Sequence, residues 1–230
     1  MPQPQTTDNQ TCTARVAVVT GGQGVLGSAV AGALRADGWT VHAPGHGELD
    51  VTDPPAVQAW FDGVDRCDLL VNNAGCADDA VLARMTGDQW DRVLACNLMG
   101  AARCAKAVLP MMLRNGGGSI LNIGSFSALT GPIGQANYAA AKAGLLGLSR
   151  SLAREFGSRD IRVNTVLPGF LDSPMTRDLP GKIRDAALAR HVLGRFTSVA
   201  ESARFIAFLG GCTHISGQVF ALDSRIADWT

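Results

Sequence analysis

Tyrosine is almost absent from this chain: of 230 residues Tyr138 is the only one, and aromatic residues together make up 6%. Beside that scarcity stand 27 glycines and a 47% hydrophobic share. The balance suits a sheet-and-helix interior of small residues with many tight turns, and it excludes a disordered chain. An excess of charge is missing too. Twenty basic residues offset twenty acidic ones, so no long-range field draws the chain to nucleic acid or to an anionic membrane, and a small or locally charged partner is expected. No apolar run approaches the ~18 residues of a membrane span, and residues 1–13 are polar without a signal-peptide core, which reads as a flexible tail on a cytoplasmic protein. The six cysteines, Cys12, Cys67, Cys76, Cys96, Cys104 and Cys212, form neither a C-x-x-C pair nor a Cys/His metal spacing. They read as reduced thiols filling core or surface positions, with no metal site.

The length suits one α/β domain over residues 14–230 and is too short for two domains with a linker. Short β-branched or apolar runs alternate with helical patterns, the order of a parallel sheet covered by helices on both faces. Strands are expected at Arg15–Thr20, Trp39–Ala43, Glu48–Val51, Asp68–Val71, Ser119–Gly124, Ile161–Leu167 and Gln218–Leu222. That makes a doubly wound, seven-stranded parallel sheet. Long helices are expected at Gly87–Leu113 and Asn137–Gly157, and an irregular segment with a helical middle, Phe170–Phe196, follows the sixth strand as a substrate lid.

Between the first strand and first helix stands Thr20-Gly21-Gly22-Gln23-Gly24-Val25-Leu26-Gly27. Gly22, Gly24 and Gly27 give G-x-G-x-x-G in the strand-to-helix context that binds dinucleotides. Glycines there permit the tight turn and the close approach of backbone to pyrophosphate, whose charge meets the free N–H groups of the helix. The carboxylate that reads the ribose of NAD at the end of the second strand is missing from Val41-His42-Ala43-Pro44-Gly45-His46, and no lysine or arginine replaces it. That favours NADP(H) and leaves NAD(H) open. Asp50, with Val51 beside it, is a candidate for the adenine amino group.

Tyr138 and Lys142 are four residues apart on one face of a helix. A phenol of ordinary pKa about 10 is a weak proton donor at neutral pH, and a neighbouring ammonium lowers that value. Ser125, at the end of the fifth expected strand, faces the crevice where open parallel sheets bind ligands and can bond a substrate oxygen.

Together these segments resemble the short-chain dehydrogenase/reductase family from about Arg15 to Asp223. The glycine turn, Asn72-Asn73-Ala74-Gly75, Cys96-Asn97-Leu98, the 13- and 4-residue spacings from Ser125 to Tyr138 to Lys142, and Pro168-Gly169 followed by Leu171 and Ser173 all match its motifs. The resemblance implies a Rossmann domain. It further implies that Ser125 orients a carbonyl, Tyr138 donates the proton, Lys142 binds the nicotinamide ribose and Asn97 anchors a water. Gly21, Gly22, Gly24, Leu26, Gly27, Asn73, Ala74, Gly75, Pro168, Gly169, Leu171 and Ser173 would then line the cofactor. Three features depart from the common pattern. The middle glycine of the turn falls one residue early, as in polyketide ketoreductase domains. The loop between second and third expected strands is short, and Leu222-Asp223-Ser224-Arg225 replaces a V-D-G-G finish.

The run Gly134–Gly144, Pro168-Gly169-Phe170 and Gly194-Arg195-Phe196 are similar to 3-oxoacyl-[acyl-carrier-protein] reductases. That resemblance implies reduction of a 3-oxoacyl thioester, an acidic acyl carrier protein meeting Arg114 and Arg159, and a homotetramer or homodimer. The alternatives are a sugar, steroid or small-alcohol dehydrogenase of the same family and, less favoured, a regulator that binds NAD(P) without turnover.

Overall fold

A computed structural model of the chain describes residues 14–171 and 181–226. The expected tail, residues 1–13, lies outside them. Six parallel strands, β1 (Val16–Val19), β2 (Thr40–His42), β3 (Leu69–Asn72), β4 (Gly118–Ile123), β5 (Ile161–Leu167) and β6 (Val219–Ala221), form one sheet in the order β2-β1-β3-β4-β5-β6. The central β3 and β4 are buried at every residue. Such strands can only be near-continuous apolar runs, which is how Leu69–Val71 and Ile120–Leu121 read.

Helices cover both faces, so two apolar layers arise from alternate residues of the same strands. On one face Val18, Leu70, Ile120 and Val163 pack with Val57 and Phe61 of α2 (Pro54–Asp62) and with Cys104, Val108 and Met112 of a later helix, Gly100–Arg114. On the other, Ala17, Val19, Leu69, Val71, Leu121 and Val166 pack with Val30 and Leu34 of α1 (Val25–Ala36) and with Ala203 and Ile206 of the helix Val199–Gly211. The chain leaves β1 for the edge at β2, then returns past β1 to β3, so the sheet's switch point falls between β1 and β3. Ligand crevices open above such points.

The seventh strand expected at Glu48–Val51 is not formed; among the described residues the sheet has six. The physical reason lies in Gly45. Its carbonyl accepts the N–H of both Glu48 and Leu49, at 3.1 and 2.9 Å, and Asp53 N–H turns back to the Asp50 carbonyl at 3.2 Å. Backbone groups used in consecutive turns are not free for a ladder. β2 is therefore the outer strand, and only three residues long.

The long helix expected at Gly87–Leu113 divides into α3 (Gly87–Leu94), a π-helical turn at Ala95–Met99, and α4 (Gly100–Arg114). Thr86 starts it with a capping box: its side chain accepts the Gln89 N–H while Gln89 reaches back to the Thr86 N–H. By length and composition the stretch Gly87–Arg114 could cross a membrane. Its Val93, Cys104, Val108 and Met112 are instead buried inside the protein, as in the core helix of a folded domain. The second long helix, α6 (Ala136–Phe156), follows a short α5 (Ser127–Thr130). α7 (Gly181–Leu188) is the helical middle expected in the lid segment, and α8 (Val199–Gly211) closes the layer over α1.

Candidate active site

The glycine turn and the segment Asn72–Gly75 are stitched together at the switch point. Thr20 Oγ1 accepts the N–H groups of Asn73 and Ala74 at 3.1 and 3.0 Å, and Asn73 Nδ2 donates to the carbonyls of Thr20 and Gly21 at 3.0 and 3.2 Å. The packing leaves no room for side chains: a Cβ on Gly27 would stand 2.4 Å from the Gly21 carbonyl, and one on Gly22 2.4 Å from that of Ala43. No side chain caps the first turn of α1. Its free N–H groups face a cavity of about 510 Å³ lined by Gly21, Gly24, Leu26, Gly27, Asn73 and Gly75, among others. A second cavity of about 470 Å³ shares Gly21, His46, Ala74 and Gly75 with it and is lined further by Asp50, Val51, Cys76 and Cys96. A phosphate-sized anion site at a helix start that continues into a mostly apolar cavity fits a dinucleotide.

Asp50 is the carboxylate of the second cavity. Its Oδ1 accepts both the N–H and the hydroxyl of Thr52, at 2.8 and 2.7 Å, and these bonds hold its carboxyl below the usual value. His46 is largely exposed, with Nδ1 3.9 Å from Asp50 Oδ1. His42 packs edge-on against Trp60.

Ser125 stands just past the end of β4, and its Oγ accepts the N–H of Ser127 at 3.1 Å. Across from it, on the first turn of α6, is Tyr138. Burial, the largest influence, leaves the phenol pKa above its ordinary value against the lowering by the nearby Ser125 hydroxyl; Asp79 and Cys76 add to the rise. The sequence expectation of a phenol lowered by Lys142 is not met in the protein on its own: the lowering comes from Ser125 and is smaller than the effect of burial. One turn along, Lys142 is buried, its Nζ donates to the Ile123 carbonyl at 2.8 Å, and it lies 5.6 Å from the centre of the Tyr138 ring. Burial brings this ammonium down to about 8.

Asn97 lies within the π turn. Its Nδ2 donates to the Cys76 and Val93 carbonyls at 2.7 and 2.9 Å, whereas Oδ1 is buried with no hydrogen-bond partner. That oxygen is aimed at Gly75, where a Cβ would stand 2.6 Å from it and 3.6 Å from Lys142 Nζ. A buried acceptor without a donor is costly, and this one faces the space between Gly75 and Lys142.

Pro168 and Gly169 leave the C-terminal end of β5, with Gly169 at φ +87°. The Pro168 carbonyl accepts Ser202 Oγ at 3.1 Å, and Leu171 forms a bridge with Thr197. A Cβ on Gly169 would strike Thr197 Oγ1 at 2.5 Å and Asp223 Cβ at 2.7 Å. Ser173 lies outside the described residues. Arg114 and Arg159 are exposed, and both precede paired strand starts, Gly118 and Ile161. They therefore occupy the end of the sheet opposite Ser125.

Two supporting groups were not singled out from the sequence. Asn72 donates to Asn122 Oδ1 at 2.8 Å, Asn122 donates to Ser149 Oγ at 2.8 Å, and Ser149 and Thr165 share a 2.7 Å bond, a fully buried chain tying β3, β4 and β5 to α6. Asn137, also buried, donates to the Asp78 and Gln89 carbonyls at 3.0 and 3.2 Å, while its Oδ1 accepts the Tyr138 N–H at 2.7 Å. Polar residues at positions buried in the structure are the signal that could have found them.

A doubly wound sheet, a glycine turn at its switch point and a Ser–Tyr–Lys cluster beside the cleft define a nucleotide-binding oxidoreductase. A family model described as enoyl-(acyl carrier protein) reductase matches residues 14–224, and the chain belongs to the short-chain dehydrogenase/reductase family of NAD(P)-dependent oxidoreductases. It is 42% identical over 184 residues to the 3-oxoacyl-[acyl-carrier-protein] reductase FabG of Thermotoga maritima, covering 77% of this chain and 75% of that protein. With the enzyme of the same name from Escherichia coli it shares 38% identity over 228 residues, 89% of this chain and 93% of the relative. With the 3-oxoacyl-[acyl-carrier-protein] reductase MabA of Mycobacterium tuberculosis it shares 39% over 225 residues, 91% of each.

Proposed function

We propose that the chain reduces the 3-oxo group of an acyl thioester, bound to a carrier protein or to coenzyme A, to the 3-hydroxyacyl form, with NADP(H) favoured over NAD(H). The observation that carries this reading is Tyr138 set close to the Ser125 hydroxyl, with a buried Lys142 one turn away. The names of the relatives supply the substrate class.

Nicotinamide, when bound, supplies the reducing hydride. Ser125 donates a hydrogen bond to the carbonyl oxygen and fixes its direction toward Tyr138. Tyr138 gives its proton to that oxygen as negative charge develops there, and its rise from burial keeps the proton in place until then. Lys142 would hold the nicotinamide ribose and, as an ammonium, favours the phenolate left behind. The unpartnered Oδ1 of Asn97 anchors a water that returns a proton from solvent. Gly21, Gly22, Gly24, Leu26 and Gly27 would hold the pyrophosphate, and Asp50, Val51, Asn73, Ala74 and Gly75 would hold the adenosine. Pro168, Gly169, Leu171 and Ser173 would hold the nicotinamide amide. The preference for NADP(H) is supported by the missing carboxylate at the end of β2, where Val41-His42-Ala43 offers none.

For the carrier protein we assign Arg114 and Arg159. Because they flank the far end of the sheet, an acyl arm must reach past the six residues of β4, about 20 Å at ~3.3 Å per residue. Ala140, Ala143 and Gly147 on the exposed face of α6 suit close packing against a second copy in a homodimer or homotetramer. Gly144 does not belong to that face, because a Cβ there would meet Leu98 at 2.8 Å.

The test is the consumption of NADPH and, separately, NADH with acetoacetyl-CoA and with a 3-oxoacyl carrier-protein thioester. Turnover that favours NADPH and the thioesters supports the assignment. Tight nucleotide binding without turnover of either substrate overturns it and directs the search to sugars and small alcohols.

A further inference from the structure

Two of the cysteines stand immediately beside functional motifs. Cys76 follows Asn72-Asn73-Ala74-Gly75, and Cys96 precedes Asn97. No part of the proposed chemistry uses either, and sequence spacing, with 19 residues between them, gives no hint that they meet. The fold brings them together. Both line the 470 Å³ cavity, neither is fully buried, and Cys76 is near enough to raise the pKa of the Cys96 thiol. Asn97 Nδ2, which bonds the Cys76 carbonyl at 2.7 Å, lies 4.0 Å from Cys76 Sγ. Lys142 is close enough for its charge to act on the Cys96 thiol, and Tyr138 is close enough to feel Cys76. The other described cysteines differ: Cys67 and Cys104 are buried in the core, and Cys212 ends α8.

We propose that Cys76 and Cys96 form a paired-thiol modification site in the cleft, which closes to an intrachain disulfide by exchange with a low-molecular-weight disulfide and is covered when nucleotide is bound. The step balances. The Cys76 thiolate attacks one sulfur of the small disulfide, forming a mixed disulfide and releasing one small thiol. Cys96, losing its proton to solvent, then attacks Cys76 Sγ and releases the second small thiol. Two protein thiols are oxidised and one small disulfide is reduced. Burial, with the neighbouring Cys76 adding to it, pushes the Cys96 thiol up to about 12 against the pull of Lys142. That keeps Cys96 a neutral thiol and gives it the second, resolving position. The resulting bridge ties the loop after β3 to the π turn across the wall that Asp50, Val51 and Gly75 share. The competition with nucleotide rests on the reading of this cavity as the cofactor's place; the pairing of the thiols does not.

The experiment treats the reduced full-length chain with oxidised glutathione, with and without saturating NADPH, and maps the products by mass spectrometry of unreduced peptides. The expected product is a Cys76–Cys96 cross-link that lacks two hydrogens. Cys96→Ser should stop at a glutathione adduct on Cys76, and Cys76→Ser should show neither product. Saturating NADPH should slow the cross-link about tenfold or more. Glutathione found mainly on Cys212, or cross-links that avoid Cys76 and Cys96, would overturn the pairing. A cross-link that forms equally fast with nucleotide bound would overturn the competition. Binding of NADPH is followed separately by its fluorescence, so failure of the cofactor reading shows as absent binding with the cross-link intact.

Discussion

Lys142 spends one of its three N–H donors on the Ile123 carbonyl, at 2.8 Å, at the last residue of the strand that presents Ser125. That bond fixes the helix carrying Tyr138 to the strand end carrying Ser125, so the spacing of the proposed catalytic pair is set by a buried charge and not by a surface pair.

Removing the phenol oxygen separates binding from chemistry. Tyr138→Phe keeps the ring in place and should lower carbonyl reduction by about 10²–10⁴-fold. The Kd for NADPH should change less than about threefold. Steady-state rates and fluorescence titration check both; full activity in the variant would remove Tyr138 from the proton transfer.

The buried ammonium should cost stability in a pH-dependent way. Below pH 8 Lys142 is protonated in folded and unfolded chains alike, and the cost is complete. Between about 8 and its ordinary 10.5 the folded chain releases a proton that the unfolded chain keeps, so stability rises with pH. Lys142→Met should therefore be inactive yet more stable at pH 7, by about 1–3 kcal/mol. Its advantage should shrink as pH climbs from 8 toward 10.5. Denaturant titrations of both proteins across that range measure the difference; a constant gap contradicts the assignment.

Glycines of the turn should not be equivalent. Gly27→Ala brings a methyl group to 2.4 Å from the Gly21 carbonyl and 2.7 Å from Asn73 Nδ2, whereas at Gly24 the nearest atom is 3.3 Å away. We expect Gly27→Ala to weaken NADPH binding roughly tenfold or more, and Gly24→Ala to weaken it much less. Titration of the two variants side by side checks the order.

The buried polar chain under α6 should be coupled. Asn122→Ala leaves Asn72 and Ser149 each short of a partner and should cost about 1–3 kcal/mol. Ser149→Ala should cost less in that background than alone, a coupling of about 1 kcal/mol in a double-mutant cycle.

Much of this arrangement is legible in the sequence. β1, β3, β4 and β5 are apolar because both their faces are covered, so the same runs that mark them as strands also place them centrally. The Ser125, Tyr138 and Lys142 spacing survives folding because one strand end and one helix turn carry it. What escaped is tertiary or depends on backbone bookkeeping. Glu48–Val51 has the residues of a short strand, yet Gly45 collects its amides into turns. The hydrophobic period of Gly87–Leu113 runs on through Ala95–Met99 and does not report the wider turn there. The approach of Cys76 to Cys96 follows from strand order, which no local pattern encodes, whereas Arg114 and Arg159 stand ahead of their expected strands and Ser125 behind its own, so their placement at opposite ends is legible in the sequence.

That wider turn amounts to one residue more than an α-helix needs, and it behaves as a built-in phase shift. In a continuous α-helix each residue advances about 100°, so winding Ala95–Met99 into α-helix with every residue kept would put one extra step between α3 and α4. Everything ahead of the turn would then rotate by about that angle relative to α4. Val93 would leave the core and Asn97 would swing away from Gly75. The extra residue thus lets one helix keep two faces inward at once, an apolar face on the sheet and a polar one at the cleft.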